Sequence, residues 1–322
     1  MIALITGIAG FAGSHLADFL LQQPDLEVLG IDSPKANLEK ISHIKSKIRL
    51  YRCDICDFNN LFKVIKRIRP DLVFHLAAQA YVPDSWKLPA LSLNTNIIGT
   101  LNLLESIRSL KISSRIQIAC SAEEYGRVSK KEIPVKELSQ FRPLSPYAVG
   151  KITQDMLGYQ YYQNYQMYIV RTRAFNHLGP RMAESFVAAN FSKQVALIEA
   201  GRQEPVIKVG NLSPVRDFTD VRDIVRGYWL SLVKCLPGEA YNLCSGKGYK
   251  INDLLDILLS FSNVKIRVQV DKARLRPTDV PMLVGDYSKF RRQTQWSPCI
   301  PIKKTLFDIL SYWRQKVAKK KD

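Results

Sequence analysis

The sequence has no long apolar segment. No stretch approaches the roughly 18 to 20 uninterrupted apolar residues that a membrane span needs, and no basic segment precedes the first strand-like run. We therefore expect a cytoplasmic protein with no membrane partner. With 322 residues, of which 46% are hydrophobic, the chain is long enough to bury a full core.

Cysteine and histidine are too scattered for a metal site or a disulfide framework. The six cysteines lie in apolar or strand-like segments, which is typical of reduced, buried thiols. Cys53 and Cys56 form a C-x-x-C pair, but no second pair stands at zinc-finger spacing and the four histidines are far apart in sequence. The sequence predicts no metal and no disulfide bonds.

Acidic residues are in deficit. The chain has 47 Lys and Arg against 29 Asp and Glu, a formal net charge of +18, which would suit nucleic acid, an acidic membrane surface or an anionic small molecule. The one dense basic run is the tail from Lys316 to Lys321, which is typical of a solvated terminus. Because no helix-turn-helix, zinc-finger or aromatic RNA-binding motif is present, we expect no nucleic-acid partner.

Short apolar runs alternate with amphipathic stretches up to about Arg173. This alternation is typical of an α/β fold, a Rossmann-type doubly wound parallel sheet whose ligands bind beyond the carboxyl ends of the strands. After Arg173 the pattern changes to loops, short strands and Pro-containing turns. We predict a dinucleotide-binding domain over 1–173 and a smaller substrate lobe over 174–322 that returns in part to the sheet. The predicted strands are Ile2 to Thr6, Glu27 to Asp32, Ile48 to Tyr51, Leu72 to His75, Arg115 to Ala119 and Met167 to Thr172.

Three glycines with the spacing G-x-x-G-x-x-G follow the first strand. Gly7, Gly10 and Gly13, with Phe11 and Ala12 between them, lead into a helical stretch. Glycine lets the backbone turn tightly and approach a pyrophosphate, and the positive end of the helix dipole favours the anion. A glycine turn used only for packing is the alternative. The position between first strand and first helix favours a dinucleotide site.

Asp32 ends the second predicted strand. A carboxylate there can accept hydrogen bonds from both ribose hydroxyls of NAD and would repel the 2′-phosphate of NADP, so the sequence favours NAD(H) and leaves NADP(H) open. Alternatively, Asp32 only opens the turn through Ser33 and Pro34. The residues after the third and fourth strands complete the predicted cofactor-binding set: Asp54, Ile55, Leu76, Ala77 and Ala78.

Tyr147 and Lys151 form a Y-x-x-x-K motif at the start of a predicted helix. Because residues i and i+4 share one helical face, we expect the ammonium to lower the pKa of the phenol from about 10 toward neutrality. Ser121, at the end of the fifth strand, is expected to hydrogen-bond the substrate oxygen that Tyr147 protonates. Glu123 and Glu124 follow; either is a site residue or a solvated loop charge, and Glu123 is the candidate site residue.

With these motifs, nearly the whole sequence resembles the extended short-chain dehydrogenase/reductases of sugar-nucleotide metabolism, also described as the NAD-dependent epimerase/dehydratase family. Segments 171–180, 208–212 and 216–223 resemble GDP-6-deoxy-4-keto-mannose reductases, and 276–280 is similar in those enzymes and in GDP-mannose 4,6-dehydratases. The resemblance implies a nicotinamide-dependent oxidoreductase with a GDP-sugar substrate.

The resemblance also implies substrate contacts and an assembly. Arg216 and Arg276 would hold the diphosphate as planar cationic donors, unless they form surface ion pairs with Asp217 and Asp279. Enzymes of this kind are often homodimers paired through the helices that contain Tyr147 and residues 91–110. The implied substrate-binding residues are Ser85, Asn176, Lys193, Arg216, Arg276 and Asp279.

Several reactions fit the resemblance. The leading hypothesis is a GDP-4-keto-6-deoxy-D-mannose reductase, in which NADH delivers hydride to C4, Tyr147 protonates the oxygen, Ser121 orients the carbonyl, and Lys151 holds Tyr147 and the nicotinamide ribose. One alternative is a GDP-mannose 4,6-dehydratase with Glu123 as acid and base, and another is a nucleotide-sugar 4-epimerase. A non-catalytic nucleotide-binding protein on the same fold is the alternative of a different class, against which the intact Ser121, Tyr147 and Lys151 argue.

Overall fold

The computed structural model describes residues 1–274 and 280–319. The strands are β1 (Ile2–Thr6), β2 (Glu27–Asp32), β3 (Arg49–Arg52), β4 (Leu72–His75), β5 (Arg115–Ser121), β6 (Ile169–Ala174), β7 (Asn176–Leu178), β8 (Val206–Val209), β9 (Val215–Asp220), β10 (Ala240–Leu243), β11 (Gly248–Lys250), β12 (Arg267–Val270) and β13 (Met282–Leu283). The helices are α1 (Phe11–Leu20), α2 (Phe58–Ile68), α3 (Val82–Lys87), α4 (Pro89–Leu93), α5 (Gly99–Ser109), α6 (Pro146–Tyr165), α7 (Val187–Glu199), α8 (Val221–Lys234), α9 (Ile251–Leu259), α10 (Ser288–Thr294) and α11 (Ile302–Lys319).

A parallel sheet of seven strands, counted over the described residues, organises the fold. Its order is β10-β6-β5-β4-β1-β2-β3. Because β2 and β3 extend from one side of β1 while β4, β5 and β6 extend from the other, the winding reverses beside β1, where doubly wound sheets bind their ligands. The six predicted strands are present with slightly moved bounds, and the predicted α/β fold class is confirmed.

Apart from its edge strand β3, the sheet is buried on both faces, which explains the nearly continuous apolar runs of β1 and β4. β4 and β6 are buried along their whole length. Successive side chains of β1 enter different layers: Ile5 packs in a core with residues of α1 and α8, and Leu4 packs in another with residues of α2 and α5. Strands covered in this way need no polar alternation.

The chain after β6 builds a second core and then rejoins the sheet. Leu254 of α9 and Leu306 of α11 belong to an apolar cluster that also contains residues of α7 and β8. β10 pairs in parallel with β6, so Ala240–Leu243 belongs to the main sheet. The predicted boundary at residue 173 stays a prediction.

Two further expectations concern the described residues. Within 1–274 and 280–319, no helix combines the length and the apolar character that crossing a bilayer requires. All six cysteines are free thiols, but Cys56 is half-buried and Cys299 is exposed, so the prediction of buried thiols is wrong for Cys299.

Candidate active site

A cleft of about 720 Å³ lies at the carboxyl ends of the parallel strands. Its wall brings together segments that are far apart in sequence, from the ends of β1 to β5 and from the start of α6. The residues predicted to bind the cofactor or to act in catalysis all line it: Gly7, Gly10, Phe11, Ala12, Gly13, Asp32, Asp54, Ile55, Leu76, Ala77, Ala78, Ser121, Glu123, Tyr147 and Lys151.

The glycine loop leaves no space for side chains. Gly7 has a φ of +73°, and a Cβ atom on it would lie 2.9 Å from the Cα of Ala77. A Cβ atom on Gly13 would lie 2.2 Å from the carbonyl oxygen of Gly7. Gly10 is the N-cap of α1, so the positive end of this helix faces the cleft. The loop is a backbone cradle that fits a pyrophosphate.

Asp32 connects the end of β2 to the glycine loop. Its Oδ2 atom accepts the N–H of Ala9 at 2.7 Å, and its Oδ1 atom accepts the N–H of Ser33 at 2.9 Å. Burial raises the pKa of this carboxyl group, and the two backbone hydrogen bonds oppose that shift. Asp32 therefore forms the turn contact that the sequence left as an alternative and also lines the cleft.

Helix α6 places the tyrosine and the lysine of the Y-x-x-x-K motif. The side chain of Ser145 caps the helix by accepting the N–H of Ala148 at 3.1 Å, and Pro146 occupies the first turn, where its missing N–H is tolerated. Tyr147 follows at once, and Lys151 lies one turn later with its Nζ atom 5.8 Å from the centroid of the Tyr147 ring.

The predicted lowering of the Tyr147 pKa is wrong for this structure. Burial is the largest cause and raises the pKa of the phenol above its usual value, while a hydrogen bond with the Ser121 side chain opposes the shift. Lys151 is itself buried, which lowers the pKa of its ammonium, and its Nζ atom donates to the carbonyl oxygen of Ala119 at 2.7 Å. Tyr147 is consequently held in its protonated form.

Ser121 stands at the end of β5, where the turn Ala122–Glu124 begins. Its Oγ atom accepts the N–H of Glu123 at 3.2 Å, and its own N–H donates to Oε1 of Glu124 at 2.8 Å. Glu123 is half-buried and lines the cleft, whereas the side chain of Glu124 is fully buried behind it. The alternative that Glu124 is a solvated loop charge is therefore wrong.

The residues predicted to bind the substrate lie less close to one another than the predicted cofactor-binding residues do. Among the described residues, the cleft wall contains Asn176 but not Ser85, Lys193 or Arg216. Ser85 is buried in α3, where its hydroxyl donates to the carbonyl oxygen of Val82 at 2.7 Å. Lys193 forms an ion pair with Glu184.

Arg216 donates to main-chain carbonyl groups. The acceptors are Val215 at 3.0 Å and Val280 at 2.5 Å. Its neighbour Asp217 is fully buried and accepts the N–H and the hydroxyl of Ser245, so the alternative of an exposed Arg216–Asp217 ion pair is wrong. The predictions for Arg276 and Asp279 lie outside the described residues.

Two aromatic residues that were not among the predicted site residues also line the cleft. Tyr81 follows β4, Phe186 precedes α7, and their rings meet edge to face with centroids 5.4 Å apart. His177 stacks on Phe11 with a centroid distance of 5.8 Å. Aromatic residues near strand ends were a visible signal, but no local pattern pairs residues this far apart.

The residues of the cleft fit a nicotinamide dinucleotide. The cradle of Gly7 and Gly13 is open to a pyrophosphate, Asp32 is a carboxylate acceptor at the end of β2, and Ser121 and Tyr147 meet at the ends of the central strands. This fold and this cleft define a nicotinamide-dependent oxidoreductase of the extended short-chain dehydrogenase/reductase class.

The chain belongs to the GDP-mannose 4,6 dehydratase family, which matches residues 4–309. It is 33% identical over 313 residues to the GDP-6-deoxy-D-mannose reductase of Pseudomonas aeruginosa, covering 97% of each chain. It is 30% identical over 350 residues to the GDP-mannose 4,6-dehydratase of Vibrio cholerae, covering 96% of this chain and 92% of that one.

Solved structures agree with this assignment. The NADPH complex of RMD from Pseudomonas aeruginosa superimposes with a TM-score of 0.87 at 30% identity, covering 98% of this chain and 99% of that one. The NAD complex of UDP-glucose 4-epimerase from Thermus thermophilus has the same TM-score of 0.87 at 28% identity and the same coverage, 98% and 99%. The protein is therefore an NAD(P)-dependent enzyme that acts on a nucleotide sugar.

Proposed function

We propose that the protein is a GDP-4-keto-6-deoxy-D-mannose reductase that uses NADH to reduce the ketone at C4. The observation that carries the proposal is that Ser121, Tyr147 and Lys151 lie together in the wall of the cleft. A reductase needs a proton donor and a second hydroxyl group at the developing alkoxide, and the phenol of Tyr147 and the hydroxyl of Ser121 supply both. The 33% identity to a reductase of this kind supports the same choice.

The residues of the cleft suit the chemistry of that reduction. The nicotinamide supplies the hydride that reaches C4. Tyr147 donates its phenolic proton to the C4 oxygen, and the Ser121 hydroxyl donates a hydrogen bond to the same oxygen and orients the carbonyl. Lys151, with its Nζ atom 5.8 Å from the Tyr147 ring centroid, would stabilise the phenolate that remains and would hold the nicotinamide ribose.

Asp32 supports the choice of NADH. A carboxylate at the end of β2 favours the two ribose hydroxyls of NADH and repels the 2′-phosphate of NADPH. Lys40 and Ser33 also line this end of the cleft, and RMD from Pseudomonas aeruginosa was crystallised with NADPH, so NADPH is the alternative cofactor.

The substrate lobe is proposed to hold a GDP-sugar. Asn176 lies in the cleft wall. Lys193 and Arg216 are the described cations assigned to the diphosphate and ribose, and Ser85 is assigned to the substrate, from the family resemblance. Arg276 and Asp279 are assigned to the same ligand from sequence alone. We also propose a homodimer. Leu91 on α4 and Met156 and Tyr159 on α6 support it, because they are exposed large hydrophobic side chains on the helices expected to pair.

GDP-mannose 4,6-dehydratase is the second candidate reaction. Glu123 favours it, because this half-buried carboxylate lines the cleft and its charge acts on Tyr147. In that reaction Glu123 would take the C5 proton and return a proton to the departing C6 hydroxyl. A 4-epimerase would use Tyr147 in both directions and ranks third.

One experiment separates these reactions. Purified protein is supplied with GDP-mannose alone and, separately, with GDP-4-keto-6-deoxy-D-mannose plus NADH or NADPH, and products are followed by cofactor absorbance and mass spectrometry. We expect oxidation of NADH and a product two mass units heavier only with the keto sugar. Consumption of GDP-mannose alone, with no reduction of the keto sugar, would refute the reductase.

A further inference from the structure

Glu124 is a buried carboxyl group directly behind the proposed catalytic serine. The side chain has 0% exposure, and its Oε1 atom receives the Ser121 N–H at 2.8 Å while the Ser121 Oγ atom receives the Glu123 N–H at 3.2 Å. These two hydrogen bonds form a capping box at the start of the turn after β5. The bond to Glu124 holds the main chain of Ser121, and the bond from the Glu123 N–H holds its Oγ atom, so the two bonds of the box together restrain the hydroxyl group.

The second carboxylate oxygen of Glu124 connects this turn to α6. Oε2 lies 3.4 Å from the Nε atom of Arg173 on β6, and the same nitrogen donates to Oδ2 of Asp155 at 2.8 Å. Asp155 and Tyr147 are about two turns apart on α6 and so share one face of that helix. The bridge from Glu124 through Arg173 to Asp155 therefore joins the turn that carries Ser121 to the helix that carries Tyr147.

A metal ion does not suit this place. The ligand atoms of Cys120, Glu124 and Asp155 lie within 4.8 Å of one another. However, Arg171 donates to Oδ1 of Asp155 and Arg173 donates to both of its oxygens, so guanidinium groups already supply the positive charge. We interpret the cluster as an ion-pair network.

We propose that Glu124 is a positioning residue, which holds the Ser121 hydroxyl at the distance and angle from the Tyr147 phenol that proton transfer to the substrate requires. This inference rests on the proposed function, because it assigns a task in the same reaction. This role requires a side chain that is long enough to place an acceptor oxygen at the position of Oε1, where it receives the Ser121 N–H.

For this role the length of the Glu124 side chain matters more than its charge. Burial raises the pKa of Glu124 well above its usual range, and Asp155 acts in the same direction, while Arg173, the Ser121 N–H and Lys151 oppose the shift. A glutamine at this position keeps the oxygen that accepts the Ser121 N–H, and its amide nitrogen would replace Oε2, which makes no hydrogen bond to any described residue. The titratable or charged groups around Glu124 come from β5, β6 and α6: Cys120, Arg173, Tyr147, Lys151 and Asp155.

Two variants of Glu124 separate the effect of side-chain length from the effect of charge. Glu124→Asp keeps a carboxylate near Arg173 but is one methylene too short for the Ser121 N–H, whereas Glu124→Gln keeps the length and the acceptor oxygen. We expect E124D to lower kcat by about 10- to 100-fold with the KM values for keto sugar and cofactor within about three-fold. We expect E124Q to retain kcat within about three-fold.

A second Ser-x-x-Glu box supplies the matched control. Glu132 accepts the N–H of Ser129 at 2.7 Å in the turn Lys130–Glu132, and neither residue lines the described wall of the cleft. Glu132→Asp shortens the same contact and should leave both kcat and KM unchanged. Thermal unfolding midpoints of all three variants separate a loss of turnover from a loss of folded protein.

Amide hydrogen exchange of the peptide that contains Ser121 tests the anchor without turnover. We expect faster exchange in E124D and wild-type exchange in E124Q. Equal exchange in E124D and wild type, wild-type kcat in E124D, or an equal loss of kcat in E124Q and E124D would each overturn the positioning role. If the wild-type enzyme reduces no keto sugar, the proposed reaction is wrong, and the exchange data alone then decide whether Glu124 holds Ser121.

Discussion

The Nζ atom of Lys151 donates a hydrogen bond to the carbonyl oxygen of Ala119, with a distance of 2.7 Å. Ala119 precedes Ser121 on β5, and Lys151 follows Tyr147 by one turn on α6. The bond therefore joins the strand that carries one proposed catalytic hydroxyl to the helix that carries the other. Lys151 is only 4% exposed, so this bond is shielded from competing water.

Tyr147→Phe tests the proposed proton donor. We expect kcat to fall by about 100- to 10,000-fold, because the hydroxyl that protonates the C4 oxygen is removed while the ring remains. Binding of NADH, measured by fluorescence titration, should not change. Tyr165→Phe, at the last residue of the same helix, is the control, since that side chain is 46% exposed. Unchanged turnover in Tyr147→Phe would show that Tyr147 is not the donor.

Asp32→Asn tests the proposed preference for NADH. The amide oxygen can still accept the N–H of Ala9, now 2.7 Å from the Asp32 carboxylate, but the charge that repels a 2′-phosphate is lost. We expect the ratio of kcat/KM with NADPH to that with NADH to rise about tenfold. Asp25→Asn, at an exposed position, should leave the ratio as it is. If Asp32→Asn leaves the NADPH-to-NADH ratio of kcat/KM unchanged, Asp32 does not determine the cofactor preference.

Gly13→Ala tests the backbone cradle. The added Cβ atom would lie 2.2 Å from the carbonyl oxygen of Gly7, so the loop must move away from the position that fits a pyrophosphate. We expect the Kd for NADH, measured by calorimetry, to rise about 100-fold or more. Gly201→Ala is the control, because Gly201 also has a positive φ, +66°, but nothing lies within 4 Å of the added Cβ atom. We expect this control to lower the free energy of unfolding by about 1 kcal/mol. Full affinity in Gly13→Ala would mean that the cofactor does not bind here.

Two buried histidines predict that stability falls in mild acid. Burial is the main cause that lowers the pKa of His15 from 6.5 to about 4 and that of His75 from 6.5 to about 3. At His15, the Nδ1 atom faces the guanidinium of Arg181 at 2.8 Å, and a second positive charge there is unfavourable. The folded protein therefore binds fewer protons than the unfolded chain between about pH 6.5 and these values.

The sign of the effect follows from that difference. The free energy of unfolding has its full value above pH 6.5, where both histidines are neutral in the folded and unfolded states. It decreases as the pH falls toward the folded-state pKa values of His15 and His75. Urea unfolding at about pH 7 and about pH 5 should show a loss of roughly 2 kcal/mol for each histidine. In His75→Gln, the decrease in the free energy of unfolding between these two pH values should be smaller by the contribution of His75. A free energy of unfolding that does not decrease between these two pH values would contradict the prediction.

Local sequence patterns predicted the parts of this protein that local physics controls. Alternating apolar segments predicted the strands of the parallel sheet, because a strand buried on both faces needs a continuous apolar run. The glycine loop and the Y-x-x-x-K pair were visible for the same reason, since turn chemistry and the spacing of a helical face depend on neighbouring residues only.

The tertiary structure decided what depends on residues far apart in the chain. Glu124 is buried because Arg173 and Asp155 pack around it. Its Ser-x-x-Glu spacing is a local pattern, but Glu132 has the same spacing and is only half-buried, so the pattern does not predict burial. Burial raises the pKa of the Tyr147 phenol, and the hydrogen bond with Ser121 only opposes that shift. Solvent exclusion and charge pairing arise only when distant segments meet, so the sequence determined which groups are present and the packing determined their state.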